Sequence, residues 1–286
     1  MFSTYKQFKK HLKYFETSEG NMAYFDKGQG ECIFLLHGVP TSSWLYRKII
    51  PILLESGYRV IAPDMLGFGG SDKPEGYEIY SDANMGERIL SLMAHLGIDS
   101  WSHVFHDGGG LWTWAMLQQD KSKVKNLFML NTIVYQDGFK PPIKFEKGLI
   151  ARWFSRMYSI SRLFQNITIN PTLKNGLHHK NNVTKTMLEG YKIPLLGNGH
   201  HGLYYFFTQT CKQINDYSEL HKSLDIPLTV IWGKWDDMLE WEGNEKHVKS
   251  NFNVSDDDIH IIDGKHFIQE EQPELIAEII LDVLMG

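Results

Sequence analysis

The stretch VFHDGGG, residues 104–110, places a lone aspartate between an apolar run and a helical pattern. The preceding SHVFH is typical of a buried strand, and the following GGLWTWAMLQQ is typical of a helix. A carboxylate at the end of a buried strand is costly to desolvate unless its charge is compensated. Asp107 is therefore either a helix N-cap, which aspartate fills well, or a nucleophile on a tight strand–turn–helix elbow.

Length, composition and charge restrict the possible classes of protein. A chain of 286 residues with 42% hydrophobic residues can form one large domain with a sizeable core. The net charge of −5 argues against nucleic acid as the main partner. No apolar run approaches the roughly 20 residues of a membrane span, so no membrane partner is expected. The basic start YKQFKKHLKY lacks the apolar stretch of a signal peptide and is interpreted as a solvated face or loose leader. The two cysteines, Cys32 and Cys211, are far apart in the chain, which fits a cytoplasmic protein without disulfides.

Strand and helix patterns alternate through the first half of the chain. ECIFLLHG (31–38) is a continuous apolar run that ends in glycine, as expected of a strand buried on both faces. A helical pattern follows and stops at Gly57, and Pro51 is expected to kink that helix. The segments YRVIAPD, HVFHD and NLFMLN are further strand candidates. This alternation predicts an α/β fold with a mostly parallel sheet flanked by helices.

The alternation stops between residues 132 and 224, where aromatic, basic and helical segments replace clear core strands. Strand patterns return at IPLTVIWG (226–233) and DIHIID (258–263), and a last helix starts at Pro273. We therefore predict a core formed by residues 1–131 and 225–286, and an inserted helical lid, or cap domain, formed by residues 132–224. Insertions of this length are usually functional, and a lid over an active site is one such use.

Three polar residues fall at the carboxyl ends of predicted parallel strands, where such sheets bind ligands. Asp107 follows one strand, Asp236 follows another within WGKWDD, and His266 follows a third within GKHF. Each alone has a structural explanation as a cap or a surface residue. Together they come in the chain order nucleophile, acid, histidine that defines an α/β-hydrolase triad. Asp237 is a competing acid, but the W-G-x-x-D pattern favours Asp236.

The chain resembles the α/β-hydrolase superfamily over nearly its whole length, and within it the branch with an aspartate nucleophile. The carrying stretches are HGVPTSSWLYR (37–47), RVIAPDMLGFGGSDKP (59–74), VFHDGGG and HFIQEEQPE (266–274). Within this branch the chain is most similar to haloalkane dehalogenases. The residues that carry this similarity are PTSSWLYRKIIPILLESG, GFGGSDKP and the bulky Phe105. Epoxide hydrolases come next. Asn131 matches the subgroup of dehalogenases in which the orienting acid follows the next strand. This match supports Asp236 as that acid.

The resemblance implies hydrolysis of a small apolar electrophile through an aspartyl alkyl-enzyme ester. Asp107 would displace the leaving group at saturated carbon, and His266, oriented by Asp236, would activate the water that cleaves the ester. The backbone N–H groups of Val39 and Gly108 would form the oxyanion hole. A haloalkane would give an alcohol and halide, and an epoxide would give a diol. No cofactor is expected, the partners are the small substrate and water, and the state is a monomer or homodimer.

The chain departs from the dehalogenase pattern at both positions that supply side-chain halide donors. Gly108 stands where dehalogenases have tryptophan after the nucleophile, and Val39 stands where many have asparagine. Replacement donors could come from Trp112, Trp114 or Trp153. If the lost donors mark lost turnover, the chain would be a non-catalytic hydrolase fold that binds an apolar ligand.

Epoxide hydrolases use lid tyrosines to open the ring, and the stretch GHHGLYYFFTQ (199–209) resembles the segment that carries one. In this sequence the expected tyrosine falls on Phe207, with Tyr204 and Tyr205 close by. Trp153, Tyr204 and Tyr205 are therefore the predicted leaving-group or substrate contacts. The substrate class stays open between haloalkane, which we favour, and epoxide.

Two histidine pairs, His178–His179 and His200–His201, raise the question of a metal site. Adjacent histidines point in different directions, and no third ligand has a suitable spacing in the sequence. We therefore expect no metal.

Overall fold

The computed structural model describes residues 2–141, 143–180, 183–197 and 200–286. Within these ranges the chain forms an eight-stranded sheet in the order β1-β2-β4-β3-β5-β6-β7-β8. The strands are β1 (Leu12–Thr17), β2 (Gly20–Lys27), β3 (Cys32–Leu36), β4 (Arg59–Pro63), β5 (Trp101–Asp107), β6 (Val124–Thr132), β7 (Leu228–Gly233) and β8 (Ile259–Ile262).

The sheet is parallel from β4 through β8, and β1 and β2 are joined to it by antiparallel pairing. All residues of β3, β5 and β7 are buried, as continuous apolar runs predict for strands covered on both faces. This arrangement confirms the predicted α/β architecture with a mostly parallel sheet.

Helices cover the sheet and fill the chain between β6 and β7. The α-helices among the described residues are α1 (Tyr5–Lys9), α2 (Ile49–Glu55), α3 (Asp82–His95), α4 (Gly109–Gln119), α5 (Leu149–Ile160), α6 (Arg162–Asn175), α7 (Lys185–Lys192), α8 (His200–Tyr205), α9 (Ser218–Lys222), α10 (Trp241–Asn251), α11 (Ile268–Glu271) and α12 (Pro273–Met285). No helix in these ranges is both long and apolar enough to cross a membrane.

Two local expectations are corrected by the structure. Of the two interpretations of the basic start, the loose leader is wrong, because Tyr5, Phe8 and Leu12 are buried and the segment folds as α1 and β1. The solvated face agrees with the structure, since Lys6, Lys9 and Lys10 are exposed. The helix predicted after β3 is split into a 3₁₀ turn at Ser43–Tyr46 and α2. Pro51 lies in the first turn of α2, where its missing N–H costs no hydrogen bond, so it does not kink a longer helix there.

We call residues 133–227 the helical insertion. Its described residues form α5 to α9, short 3₁₀ segments and a π-helical turn at Phe206–Thr210, without a strand. Inside it, the rings of Phe154, Tyr158, Phe164 and Phe207 pack against one another with several centroid distances between 5.1 and 6.0 Å. Aromatic side chains therefore supply much of the interior of this segment. π-helical turns often mark functional sites, and this one lies directly beside the elbow described next.

Candidate active site

Asp107 is the last residue of β5 and has a left-handed backbone conformation, with a φ of 50°. Its carbonyl oxygen accepts hydrogen bonds from Thr132 Oγ1 at 2.7 Å and from the Ile133 N–H at 3.1 Å, which hold this strained turn. The helix that follows has Gly108 as its N-cap residue and no side-chain cap. The N-cap explanation for Asp107 is therefore wrong, because its carboxylate is directed elsewhere.

Only two of the three glycines after Asp107 are required by close packing. A Cβ atom at Gly109 would lie 2.6 Å from the His37 carbonyl oxygen, and one at Gly110 would lie 2.2 Å from Thr132 Oγ1. At Gly108, whose φ is −60°, the nearest atom would be Val39 Cγ2 at an ordinary 3.4 Å. Position 108 can therefore accept a Cβ atom in ordinary van der Waals contact with its neighbours.

The backbone N–H groups predicted to form an oxyanion hole both lie at the Asp107 carboxylate. The Val39 N–H donates to Asp107 Oδ2 at 2.7 Å, and a hydrogen bond from the Gly108 backbone helps to lower the pKa of Asp107. His37 holds the loop before Val39, because its Nε2 accepts from the Met65 N–H at 3.0 Å and its Nδ1 lies 2.7 Å from the Gly38 oxygen. Oδ2 therefore accepts a hydrogen bond from the backbone N–H of Val39.

His266 bridges the two predicted acids. Its Nδ1 lies 2.9 Å from Asp236 Oδ2, and its Nε2 lies 3.5 Å from Asp107 Oδ1. All three side chains are buried. The structure therefore brings together the three residues that the sequence predicted at the strand ends, in the order carboxylate, imidazole, carboxylate.

Asp236 is held by a network that the sequence did not predict in full. Its Oδ1 accepts from the backbone N–H groups of Met238 and Leu239, and its Oδ2 accepts from Asn131 Nδ2 at 2.7 Å. Asn131 in turn accepts from the Gly233 N–H at 2.9 Å. The competing Asp237 is exposed and pairs with Lys265 at 2.7 Å, so its carboxylate is directed away from His266.

The charges of this cluster shift all three pKa values toward the ionised forms. Burial alone would lower the pKa of His266, but the charge of Asp236 and the hydrogen bonds to both carboxylates raise it to about 10. Burial would raise the pKa values of Asp107 and Asp236, but the contacts with His266 hold both below their usual range. The resting site is a carboxylate–imidazolium–carboxylate cluster at neutral pH.

In the described part of the chain, no hydrogen bond joins the predicted leaving-group contacts to the Asp107 carboxylate. Trp153 is 60% exposed and packs against Phe164, so the prediction for Trp153 was wrong because its indole faces outward from the helical insertion. Tyr204 and Tyr205 are buried, but their rings pack on Tyr77 at 5.6 and 4.8 Å.

The aromatic side chain beside position 108 is Phe206. Its Cε2 would be 3.8 Å from a Cβ atom there. Phe206 begins the π-helical turn and directly follows Tyr205 in the chain. Phe207, where the sequence comparison put the expected tyrosine, contributes instead to the aromatic interior of the insertion.

Trp112 and Trp114 are the other two candidate halide donors, and the indole N–H of Trp114 already has an acceptor. Trp114 Nε1 donates to the Ile133 carbonyl oxygen at 3.2 Å. Trp112 packs against His37 and Phe68, with ring centroids 5.7 and 5.8 Å away, and within the described ranges no acceptor contacts its Nε1. Of the three candidate tryptophans, Trp112 is therefore the buried one whose indole N–H has no acceptor in the described part of the chain.

Sequence reasoning also missed two polar residues that touch the triad. His106 Nε2 lies 2.9 Å from the His266 carbonyl oxygen, and burial lowers the pKa of His106 to about 4, so its neutral ring donates this hydrogen bond. Thr132 anchors the elbow, as described above. Neither contact follows from strand patterning, because each joins residues distant in the chain. The signal that the sequence did offer for both residues is that each is a polar residue in an otherwise apolar strand.

The histidine pair at 178–179 gains a third candidate ligand that the sequence did not indicate. Asp263 lies beside it, and the donor atoms of the three exposed residues lie within 4.8 Å of one another. His179 Nε2 is 3.5 Å from Asp263 Oδ2, and Trp235 Nε1 donates to Asp263 Oδ1. An exposed ion pair accounts for this arrangement.

A family model described as the alpha/beta hydrolase fold matches residues 31–273, so the chain belongs to the alpha/beta hydrolase family. Haloalkane dehalogenase 2 of Mycobacterium tuberculosis strain H37Rv is 28% identical over 286 residues, which cover 94% of this chain and 93% of the relative. Haloalkane dehalogenase DbeA of Bradyrhizobium elkani superposes with a TM-score of 0.74 at 19% identity, over 96% of this chain and 97% of that structure.

An esterase from Thermogutta terrifontis superposes equally well, with a TM-score of 0.75 at 20% identity over 96% of this chain and 98% of its own. Structural likeness at this level of identity thus reports the fold alone. Together, the family and the relatives confirm the predicted α/β-hydrolase fold and the predicted resemblance. Among its relatives, the chain is similar to haloalkane dehalogenases.

Proposed function

We propose that this hydrolase acts on a small apolar electrophile, most simply a haloalkane, through an ester formed on Asp107. The observation that supports the proposal is that the two oxygens of the Asp107 carboxylate have different partners. Oδ2 accepts from the Val39 N–H at 2.7 Å, whereas Oδ1 lies 3.5 Å from His266 Nε2. Oδ1 is therefore the oxygen available to attack.

In the first step, Asp107 Oδ1 forms a bond to the substrate carbon while the carbon–halogen bond breaks, and the halide leaves with the electron pair. The lowered pKa of Asp107 keeps it ionised for this attack. A carboxylate suits this role because the product is an ester that water can cleave, whereas attack by serine would leave an ether.

In the second step, His266 Nε2 takes a proton from water, whose oxygen attacks Asp107 Cγ. The negative charge that develops on Oδ2 is stabilised by the N–H groups of Val39 and Gly108. The Cγ–Oδ1 bond then breaks, the alcohol leaves with Oδ1 and takes the proton from His266, and the new acid group ionises. Alkylation removes the negative charge of Asp107, so the pKa of His266 falls and the imidazole becomes able to act as a base.

The departing halide needs a donor that neither Gly108 nor Val39 supplies from its side chain. We infer that Trp112 is the candidate, because Trp114 is bonded to Ile133 and Trp153 faces outward. Its position against His37 supports this choice, since His37 begins the loop that carries the Val39 N–H. Tyr204 and Tyr205 pack on Tyr77, and among the described residues neither hydroxyl hydrogen-bonds to the Asp107 carboxylate, which favours the haloalkane over the epoxide.

We also propose that the helical insertion, which corresponds to the predicted lid of residues 132–224, covers this site. The position of Phe206 supports the idea, because its Cε2 lies 3.8 Å from the point where a Cβ atom of residue 108 would stand, which puts the π-helical turn beside the elbow. A covering segment would exclude bulk water during the attack on carbon. Cys32 and Cys211 are free and buried, which is consistent with the proposed cytoplasmic location.

The test is a panel of chloroalkanes, bromoalkanes and epoxides, assayed for released halide and for diol. We expect halide release, faster from bromides than from chlorides because bromide departs with less stabilisation. Diol formation without halide release would replace haloalkane by epoxide as the substrate. No turnover of either class, with Asp107 still open to an alkylating probe, would favour a ligand-binding hydrolase fold.

A further inference from the structure

The outer surface of the helical insertion is unusually apolar. Apart from Met285 near the C-terminal end, every large apolar side chain of the described residues that is at least 60% exposed lies on α5 or α6. These side chains are Leu149, Ile150, Trp153, Ile160, Leu163 and Ile167. Isolated exposed apolar residues are normal in proteins, whereas a contiguous group marks an interaction surface.

These side chains form neighbouring rows. On α5 they recur at spacings of three, four and seven residues, which places them on one side of the helix. On α6, Leu163 and Ile167 are four residues apart. The Trp153 ring lies 6.3 Å from the ring of Phe164, so the two helices meet at this surface. We call it the α5–α6 face.

The α5–α6 face is also basic in a chain that is acidic overall. Residues 147–175 contain five lysines and arginines and no acidic residue, although the chain carries a net charge of −5. Three of these cations, Lys147, Arg152 and Arg156, have no carboxylate within ion-pair distance in the described part of the chain. Lys147 and Arg152 lie instead over the rings of Tyr77 and Tyr204.

A groove of about 790 Å³ opens on the same side of the insertion. Leu149 and Trp153 line it together with the same three cations, and one carboxylate, that of Glu75, also contributes. Apolar side chains and unpaired cations therefore share one concave surface, an arrangement suited to an anionic group attached to an apolar body.

We propose that the α5–α6 face binds the surface of an anionic phospholipid bilayer. Apolar side chains on one side of a helix, with lysines and arginines beside them, insert between lipid headgroups while the cations contact the phosphates. A second copy of the chain fits less well, because a two-fold contact would bring the same five cations against each other. This proposal replaces the sequence-based expectation of no membrane partner, which considered only spanning segments; none of the described helices is long and apolar enough to span a bilayer.

The experiment is co-sedimentation of the full chain with vesicles of pure phosphatidylcholine, and with vesicles that also contain phosphatidylglycerol. We expect binding to the anionic vesicles that weakens as salt is added, and little binding to phosphatidylcholine. The charge reversals Arg152→Glu and Arg156→Glu together should weaken binding by at least about tenfold. Leu149→Ser with Leu163→Ser should also weaken it, because less apolar surface is inserted.

The matched control reverses Lys10 and Lys246, which are exposed and lie outside the face, so it changes the net charge by the same amount. It should retain vesicle binding. Equal loss in this control would overturn the proposal, because net charge alone would then explain the binding. So would absence of wild-type binding at low salt. Circular dichroism checks that each variant is folded.

Analytical ultracentrifugation supplies a further outcome that counts against a lipid surface. A wild-type dimer that the Leu149→Ser and Leu163→Ser pair dissociates would assign the face to a second copy. Capture of an acidic protein without vesicle binding would assign it to a protein partner. All of these measurements are independent of substrate turnover, so they remain valid whatever the enzyme hydrolyses.

Discussion

At the scale of single residues, Gly108 is the position where this chain differs most informatively from the dehalogenases it resembles. Its backbone N–H contributes to the environment of Asp107, but it offers no side-chain donor to a departing halide. A Cβ atom would meet nothing closer than 3.4 Å there, so the elbow accepts it, and the Phe206 ring, 3.8 Å from that Cβ, limits where a larger side chain can lie.

We expect Gly108→Trp to raise the rate of chloride release by about tenfold or more, because a charge-assisted hydrogen bond is worth about 1.5–3 kcal/mol. Gly108→Phe is the matched control, since it adds a ring of related shape without an N–H group. Halide release under single-turnover conditions measures the effect. If the phenylalanine variant gains as much as the tryptophan variant, the missing donor does not limit the reaction.

The second residue-scale prediction concerns the charge of His266. Asp107→Asn removes one of the two carboxylates that raise the pKa of His266, so this pKa should fall below about 10. Asp237→Asn is the control, because Asp237 is exposed and pairs with Lys265. Titration of the imidazole nitrogens by NMR gives both values. An unchanged pKa in Asp107→Asn would contradict the proposed coupling between alkylation and base activation.

The clustering of Asp107, Asp236 and His266, our proposed triad, could be predicted because strand ends and chain order are visible in the sequence. Their supports could not, since Asn131 reaches Asp236 across 105 residues and Thr132 reaches Asp107 across 25. The leaving-group prediction failed for a related reason. Which way an aromatic side chain of an insertion points depends on tertiary packing, and Trp153 turned out to face solvent.

At the scale of secondary structure, the elbow between β5 and α4 depends on the close approach of two neighbouring segments. Gly109 lies against the backbone of His37, and Gly110 lies against Thr132. The strand–turn–helix pattern was legible in the sequence because the periodicity changes abruptly at Asp107. The role of each glycine was not, because it is set by residues that are distant in the chain.

Gly110→Ala should lower the free energy of unfolding by about 1–3 kcal/mol, because its Cβ would overlap Thr132 and force the elbow to shift. Gly108→Ala is the matched control and should change the stability by less than about 0.5 kcal/mol. Chemical denaturation of both variants measures the difference. Equal free energies of unfolding for the two variants would contradict this prediction, because the elbow and the segment at Thr132 could then move apart at little energetic cost.

The N-terminal segment illustrates the limit of pattern analysis at this scale. Tyr5, Phe8 and Leu12 are buried, but they are interspersed with lysines, so no regular period stands out in the sequence. Their burial depends on packing against the sheet edge and Trp44. The insertion was easier to recognise, since the absence of strand patterns over many residues is itself a signal.

At the scale of the whole molecule, a buried ion pair within the core accepts a hydrogen bond from the helical insertion. Arg47 Nη2 donates to Glu270 Oε2 at 2.8 Å, and the hydroxyl of Tyr191 on α7 donates to Glu270 Oε1 at 2.7 Å. Burial would raise the pKa of Glu270, but the charge and hydrogen bonds of Arg47 hold it below its usual range. Glu270 follows His266 by four residues, so this contact also fixes the chain that carries the histidine.

Glu270→Ala should lower the free energy of unfolding by about 3–5 kcal/mol, because it leaves the buried Arg47 charge without a partner. The control is Glu31→Ala, whose exposed pair with Lys125 should contribute less than about 1 kcal/mol. Calorimetry or denaturant unfolding compares the two. Similar losses in the free energy of unfolding of both variants would contradict this prediction, because the buried Arg47–Glu270 pair would then contribute no more than an exposed pair.

The central claim is that a covalent ester forms on Asp107 and that His266 is needed to cleave it. The most direct measurement is intact-mass spectrometry of the His266→Gln variant after incubation with a bromoalkane, followed by peptide mapping. The account predicts a mass increase of one alkyl group, located on Asp107, and no such adduct in the variant that combines His266→Gln with Asp107→Asn. An adduct on another residue, or sustained halide release by Asp107→Asn alone, would contradict it.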